Sequence, residues 1–388
     1  MAPAGLSTRF QAGWLSLPSL ISLAPESTVR EGPIKDLSDI PVEVPPEREA
    51  RSPASRLSGR QPASAESRQP AEMCRSGVVV VTRDSASPLR VLLPQIVDGT
   101  IPVVVVDNQS SDDSVEIAEA AGARVVRMPA NAGYSAACNA GARALGAEVD
   151  WIAFVNPDVS LSAEHLRQLT TDVPDEIWAV APLTVAPDGK PVADVARPAP
   201  TPWFVAAMYL GLSRSQAPLK ALFDRWDGRY YYVEALSGSC LLIRHKHLIA
   251  IGGWDDAFFF NCEDIDICVR LAAAGGRVAV DRSVQVTHEK EHSSSYVSGE
   301  ARRLECARAY ATYFQIHGSR SATALVAISA FSGCLARHLV ERLRPRPSPK
   351  AVASLRYGRL WEVLWSTVRQ SYRNRPPVRP ARAEFLDP

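Results

Sequence analysis

From residue 77 the chain alternates unbroken apolar runs with amphipathic ones. "GVVVVT" (77–82), "PVVVVD" (102–107) and "WIAFVN" (151–156) are continuous runs of strand length, and "ARVVRM" (123–128) is a shorter one. Between them, "PLRVLLPQIVDG", "DSVEIAEAAG" and "GYSAACNAGARALG" place apolar residues at helical spacing. Strands apolar on both faces, separated by helices, predict an α/β domain with a mostly parallel sheet covered on each side. Ligands are then expected beyond the carboxyl ends of its strands. After about Pro187 the pattern is less regular. A Pro-rich "RPAPTPW" leads through an aromatic stretch to "RYYYVEAL", then the turn "SGSC" enters a strand "CLLIR"; "RVAVD" and "VQVT" close the core as two further strands, and an apolar helix covers 321–343.

One segment breaks the separation of apolar and polar positions. "FFFNCEDIDICVRLAAAGG" (258–276) sets Glu263, Asp264 and Asp266 among Phe, Ile, Cys, Val and Leu. A helix beginning near Asn261 puts Asp264 on the face of Ile267, Cys268 and Leu271, and so toward the interior. Asp266 precedes Arg270 by four residues, the spacing of an ordinary helix ion pair. For Asp264 two readings stand open on this window alone: a capping box with Asn261, or a chemical role. Glu263 faces either an acceptor or only solvent.

Composition narrows the class. The 388 residues are 46% hydrophobic and 22% charged, with a net charge of +1, which is globular and carries no overall nucleic-acid signature. Seven cysteines, odd in number and without a C-x-x-C, fit a reducing cytoplasm. No run reaches the length needed to cross a bilayer. The stretch 13–24 is short, interrupted by Pro18 and preceded by one Arg, so it is read as untranslocated sequence. Residues 1–73 have the composition of a disordered tail, dispensable if translation starts at Met73. A domain is expected over 74–320 and a helical, basic extension over 321–388, where Trp361, Trp365 and Tyr372 interleave with Arg and Lys. Such a segment suits an anionic membrane surface, or equally a solvated tail packed on its own protein.

Candidate chemistry gathers at the strand ends. Asp107, with Asn108, Ser110, Ser111 and Asp112, follows the second strand; an Asx turn is the commoner explanation, and a hydrogen bond to the imide of a pyrimidine base the alternative. "PANAGYSAACNAG" (129–141) brings Asn131, Gly133, Asn139 and Gly141 to the start of a helix, where glycine permits close approach and the helix terminus attracts phosphate. It is neither a dinucleotide-binding nor a P-loop pattern. Asn156 and Asp158, two apart after "WIAFV", suit a hard cation shared with a diphosphate, or simply an N-P-D turn. His288 after "VQVT" is a second possible ligand, one that favours Mn²⁺ over Mg²⁺.

In this order and spacing, "VVVVT", "VVVVDNQSSDDS", "PANAGYSAACNAG", "FVNPDV", "SGSCLLIR", "GGWDDAFFFNCEDIDICVRLAAAGG" and "VTHEKEHSS" resemble the family 2 glycosyltransferases, from about Gly77 to Ser295. Within the family the resemblance is to bacterial rhamnosyltransferases that use dTDP-rhamnose and a polyprenyl-diphosphate-linked sugar. It implies a GT-A fold and an inverting transfer that uses Mg²⁺ or Mn²⁺. Thr82 and Asp107, with Asn108, would contact base and ribose; Gly133 and Asn139 would line the nucleotide pocket. Asp158, Asn156 and His288 would hold the metal, Asn156 standing where the family often has Asp. Asp264 matches the catalytic base, and Trp254, Asp255 and Glu263 would lie by the acceptor. The implied partners are a dTDP- or UDP-sugar and a glycan or polyprenyl-linked acceptor, with no nucleic acid. The implied location is cytoplasmic, peripheral at the inner face of the plasma membrane. Galactofuranosyl, mannosyl or glucosyl transfer is the alternative within the class, and a non-catalytic sugar-nucleotide or glycan binder the alternative outside it. A nucleotidyltransferase is disfavoured, because "VVVVTRDSASP" lacks the Gly-rich, basic loop.

Overall fold

A computed structural model describes residues 75–186, 188–192, 195–212, 228–289 and 299–343. The expected amino-terminal tail and the basic segment after Leu343 lie outside the described residues.

The first half winds as the apolar pattern predicts. Strand β1 (Ser76–Thr82) leads to helix α1 (Ala86–Ile96), β2 (Val103–Asp107), α2 (Ser114–Ala120), β3 (Arg124–Arg127), α3 (Tyr134–Leu145), β4 (Trp151–Val155) and α4 (Ala163–Thr170). Then come β5 (Ile177–Val185), β6 (Ala196–Arg197), α5 (Pro202–Tyr209), β7 (Tyr230–Val233), β8 (Ala235–Leu236), β9 (Cys240–Arg244) and α6 (His245–Ala250). The remainder is α7 (Glu263–Ala273), β10 (Arg277–Thr287), α8 (Gly299–His317) and α9 (Arg320–Leu343).

Eight strands form one sheet in the order β3-β2-β1-β4-β9-β5-β10-β7, and β6 pairs with β8 in a separate ribbon. The β3-β2-β1-β4 half is wholly parallel. β9 enters antiparallel between β4 and β5, and β7 runs antiparallel at the far edge. This is the GT-A arrangement of an α/β fold. The two segments expected as separate closing strands are one long strand, β10, whose register against β5 shifts between Asp281 and Gln285. Residues 282–284 have no partner on β5, so the pairing is interrupted there and resumes at Gln285 opposite Leu183.

The apolar runs of β1, β2 and β4 are buried on both faces, while β3 at the sheet edge is only partly covered. Val79, Val104 and Val106 join a cluster with residues of α3, α7, α8 and α9, while Val78, Val80, Val103 and Val105 pack with α1 and α4 on the other side. Helix α3 comes closest to the sheet at Gly141, where a Cβ would stand 2.4 Å from Val79 Cγ1 and 3.0 Å from Val106 Cγ2. Since α3 and the loop before it frame the strand ends, this contact also fixes the height of the site. Gly141→Ala is therefore expected to destabilise the protein by about 1–3 kcal/mol through overpacking. Thermal unfolding checks this, and an unchanged midpoint would contradict such close packing.

Candidate functional site

The carboxyl ends of β1 and β2 put Thr82 and Asp107 side by side as register partners. Both are buried, and Thr82 Oγ1 has no hydrogen-bond partner. Asp107 Oδ1 accepts from the Ser110 N–H at 3.0 Å, so the turn is made, while the side chain stays at the sheet edge. Much of the polar run that follows braces the loops. The Ser111 N–H and hydroxyl donate to Asp84 Oδ1, and Asp112 Oδ2 accepts from the Ala86 N–H. Asn108 bridges to the next loop, accepting from the Ala132 N–H at 3.0 Å and donating to the Gly133 carbonyl at 3.3 Å.

Gly133 and Asn139 differ from expectation. The close approach that Gly133 permits is taken by protein: a Cβ there would lie 2.6 Å from the Phe259 carbonyl oxygen, and φ is +87°. That carbonyl accepts the Tyr134 N–H at 2.9 Å, closing off one donor at the amino terminus of α3. The Asn139 amide is likewise engaged, donating to the Trp254 carbonyl (2.9 Å) and to Asp256 Oδ1 (2.8 Å) and accepting from the Trp254 N–H (2.9 Å). Its role is to hold the 254–256 turn. Trp254, expected beside an acceptor, has its ring in the core, edge-on to Tyr134 and Phe154. Its indole N–H is buried without a partner. Asp255 accepts from the Ala257 N–H and shapes the same turn.

After β4 the chain presents Asn156 and Asp158. The Asp158 carboxylate is buried, with Oδ1 3.1 Å from His288 Nε2, and the Asp158 carbonyl accepts from the Glu289 N–H. A bridge between Val159 and His288 fixes the two segments against each other. A carboxylate oxygen and an imidazole nitrogen thus converge on one point, a donor set that fits Mn²⁺ or Mg²⁺. Among the described residues no group of three or more His, Cys, Asp and Glu is placed to hold a metal. A cation there would draw its other ligands from substrate oxygens, water or the nearby Asn156 amide.

The turn Ser237–Gly238–Ser239 ties this edge to α7. The Ser239 carbonyl accepts the Asn156 N–H at 2.8 Å, and the Gly238 N–H donates to Asp264 Oδ2 at 3.1 Å. Asp264 Oδ2 also accepts from Arg197 Nη2 at 3.1 Å, and Oδ1 from the Ile265 N–H at 2.9 Å. The anticipated capping box is not formed. Asn261 and Cys262 both adopt left-handed backbone (φ 71° and 66°), Cys262 is the cap residue without a side-chain bond, and Asn261 Nδ2 is buried without a partner. Two adjacent non-glycine residues in that region cost of order 1–3 kcal/mol each, a strain that clusters at functional sites.

Asp266 is structural, as its spacing to Arg270 suggested, but the pair is no surface bridge. Fully buried, it accepts from Arg270 Nε and Nη2 at 2.8 and 2.6 Å, and its other oxygen lies 2.7 Å from His317 Nε2 on α8. Arg270 Nη1 in turn donates to the carbonyls of Ile251 and Gly253. Glu263 is turned away from solvent: it is buried near Tyr134 and Cys138, and its Oε2 lacks a hydrogen-bond partner among the described residues. Arg197 and the Ser237–Ser239 turn were not among the residues singled out from sequence. The small-residue turn carried a faint signal; a lone Arg ahead of a Pro-rich run carried none.

Comparison with known proteins places this geometry. The family model described as "Glycosyl transferase family 2" matches residues 77–231. The N-acetylglucosaminyl-diphospho-decaprenol L-rhamnosyltransferase of Mycobacterium tuberculosis is 30% identical over 225 residues, which cover 50% of this chain and 68% of that protein. The chain belongs to glycosyltransferase family 2. The rhamnosyltransferase WbbL of Escherichia coli K12 is 27% identical over 151 residues, 38% of this chain and 55% of WbbL, so the match spans little more than half of that relative. Among solved structures, the mannosyltransferase PcManGT of Pyrobaculum calidifontis, in complex with GDP-Man and Mn²⁺, aligns with a TM-score of 0.45 at 15% identity. That alignment covers 78% of this chain and 86% of PcManGT.

In this glycosyltransferase-family site, burial, with Asp264 beside it, pushes the Glu263 carboxyl up from 4.5 to about 8. A carboxyl whose folded value is raised binds a proton that the unfolded chain has released, so stability falls as pH rises from about 4.5 to about 8. Glu263→Gln keeps the neutral shape without the titration. It is expected to melt a few degrees above the parent at pH 8 and to flatten the decline across this window. Parallel pH-dependent slopes for the two proteins would rule out a proton held at Glu263.

Proposed function

We propose that the chain is an inverting glycosyltransferase that moves rhamnose from dTDP-rhamnose to a hydroxyl of a lipid-linked or cell-wall glycan. The observation that carries this reading is the short hydrogen-bonded path from Asn156, through Ser239 and Gly238, to Asp264. It sets a buried carboxylate beside the edge that bears Asp158 and His288, as an in-line displacement requires of its base and its leaving-group site. The sequence likeness to two rhamnosyltransferases supports the donor sugar.

A carboxylate offers about four lone-pair sites. Three donors already occupy Asp264, one on Oδ1 and two on Oδ2, so an acceptor hydroxyl would bind at Oδ1. Asp264 would take the proton as the acceptor oxygen bonds to the anomeric carbon and the sugar–diphosphate bond breaks, the electron pair leaving with the diphosphate. Asp158 and His288 would hold a divalent cation, which when bound supplies Lewis-acid neutralisation of the leaving diphosphate. Thr82 and Asp107, paired at the sheet edge, would receive the base and ribose.

The acceptor side supports a lipid. Trp203 (75% exposed) and Leu210 lie seven residues apart on the outward stripe of α5, with exposed Leu212 just beyond, and α5 has no charged residue. The sequence after Leu343 is strongly basic. An uncharged aromatic face and a basic segment suit peripheral contact with an anionic membrane; among the described residues no helix is long and apolar enough to cross one.

Asp264→Asn is expected to lower turnover by about 10² to 10⁴, the usual worth of general-base catalysis, with nucleotide affinity nearly unchanged. The measurement is nucleoside diphosphate release from dTDP-rhamnose, UDP-galactofuranose, UDP-glucose and GDP-mannose, with and without Mn²⁺. Normal turnover by a folded Asp264→Asn protein would sink the assignment, and release from none of the donors by the parent would favour a binding-only protein. Asp158→Ala is expected to weaken donor binding specifically in the presence of Mn²⁺, read by calorimetric titration. Donor affinity that responds to Mn²⁺ equally in both proteins would refute the metal role.

A further inference from the structure

Among the described residues Arg197 is the one cation bonded to Asp264, and it uses little of itself there. A guanidinium carries five N–H donors; one nitrogen, Nη2, reaches Asp264 Oδ2, and no other hydrogen bond to the group is made among the described residues. The side chain as a whole keeps 27% of its surface exposed, while the guanidinium lies largely buried beside Asp264 with most of its N–H donors unused among the described residues. Its other neighbours do not match its charge. Cys262 and Tyr310 are pushed up by burial and stay protonated, and Glu263 is held largely neutral. Asp264 is therefore its counter-ion, and Asp264 is the group proposed to take up the acceptor's proton. Once it does, a largely buried guanidinium loses its counter-ion, and a second anion would restore the balance of charge.

The chain beyond Arg197 indicates where that anion comes from. Thr201 caps α5, whose exposed stripe begins at Trp203, only six residues after Arg197. Charge-matching group and apolar face thus follow one another along the chain, in the order in which a lipid-linked sugar presents hydroxyl, phosphate and hydrocarbon.

The geometry points to Arg197 as the seat of the acceptor's phosphate: one edge of its guanidinium holds Asp264, and the other receives a phosphate of a polyprenyl-diphosphate-linked sugar. This rests on the lipid-linked reading of the acceptor. Bidentate capture of phosphate is what guanidinium geometry favours, and an ammonium at the same place reproduces the charge without the fork.

The test is calorimetric binding of two probes, N-acetylglucosaminyl diphosphate on a short prenyl chain and the neutral prenyl N-acetylglucosaminide. Both are titrated with nucleoside diphosphate and Mn²⁺ saturating, so that the donor side is filled. The parent is expected to prefer the diphosphate probe by about tenfold or more, the worth of one charge-assisted pair. Arg197→Gln is expected to abolish that preference, and Arg197→Lys, which retains the charge and guards against a folding defect in the first variant, to keep part of it. A preference that survives intact in both variants would overturn the role of Arg197 while leaving the lipid acceptor standing. No preference in the parent would likewise overturn the role of Arg197, and binding of neither probe by the parent would overturn the lipid-linked reading on which it rests.

Discussion

The hydrogen bond from the Gly238 N–H to Asp264 is the join on which the site depends. Its donor belongs to the turn between β8 and β9, and its acceptor to the first turn of α7. One residue on, the Ser239 carbonyl holds the Asn156 N–H and so the end of β4. Since β9 runs antiparallel between β4 and β5, its amino-terminal turn lies beside the carboxyl ends of the parallel strands. An antiparallel insertion in a parallel sheet thus delivers backbone donors to the edge where ligands bind.

Three carboxylates in one helical turn would repel one another and resist burial, and each is accommodated by different means. Asp266 is paired with Arg270 and faces His317, joining α7 to α8 and to the carbonyls after α6. Breaking such a buried pair from one side costs about 3–5 kcal/mol. Asp264 takes two backbone N–H groups and Arg197. Glu263 has no cation, and there the proton replaces one. The helix amino terminus favours the two ionised carboxylates, Asp264 and Asp266, by a further few tenths to 1 kcal/mol each. A buried helix start can therefore hold a reactive carboxylate because its two neighbours are neutralised separately.

Much of this was visible in the residues. Runs such as "VVVVT" and "WIAFV" are apolar at every position because both faces of a parallel strand are covered, so the covered, mostly parallel sheet and its ligand edge followed from pattern, while the strand order, with β9 inserted antiparallel, did not. The inward face of Asp264 followed from helical periodicity. The Asn261 cap did not form, because that reading assumed an extended cap residue, whereas consecutive left-handed residues turn the Asn261 side chain inward. Gly133 was read as permitting close approach and Asn139 came with it through the family resemblance, but sequence cannot say what approaches: beside Gly133 it is the Phe259 backbone, and Asn139 bonds the 254–256 turn. Arg197 was hidden because its partner lies 67 residues away and nothing local marks it.

The Phe259 contact also bears on how a diphosphate would be met. A helix amino terminus is a ready anion site when its N–H groups are open, yet at α3 the Tyr134 N–H already serves the Phe259 carbonyl, and Gly133 leaves no gap before it. The backbone at α3 is thus turned to holding the 258–262 loop, and through it the strained entry to α7. With that one donor committed, an anion at the sheet edge would also meet the Asp158 carboxylate, whose field only a bound cation reverses. Holding α7 rigidly and binding phosphate by the helix terminus are competing uses of one set of backbone donors.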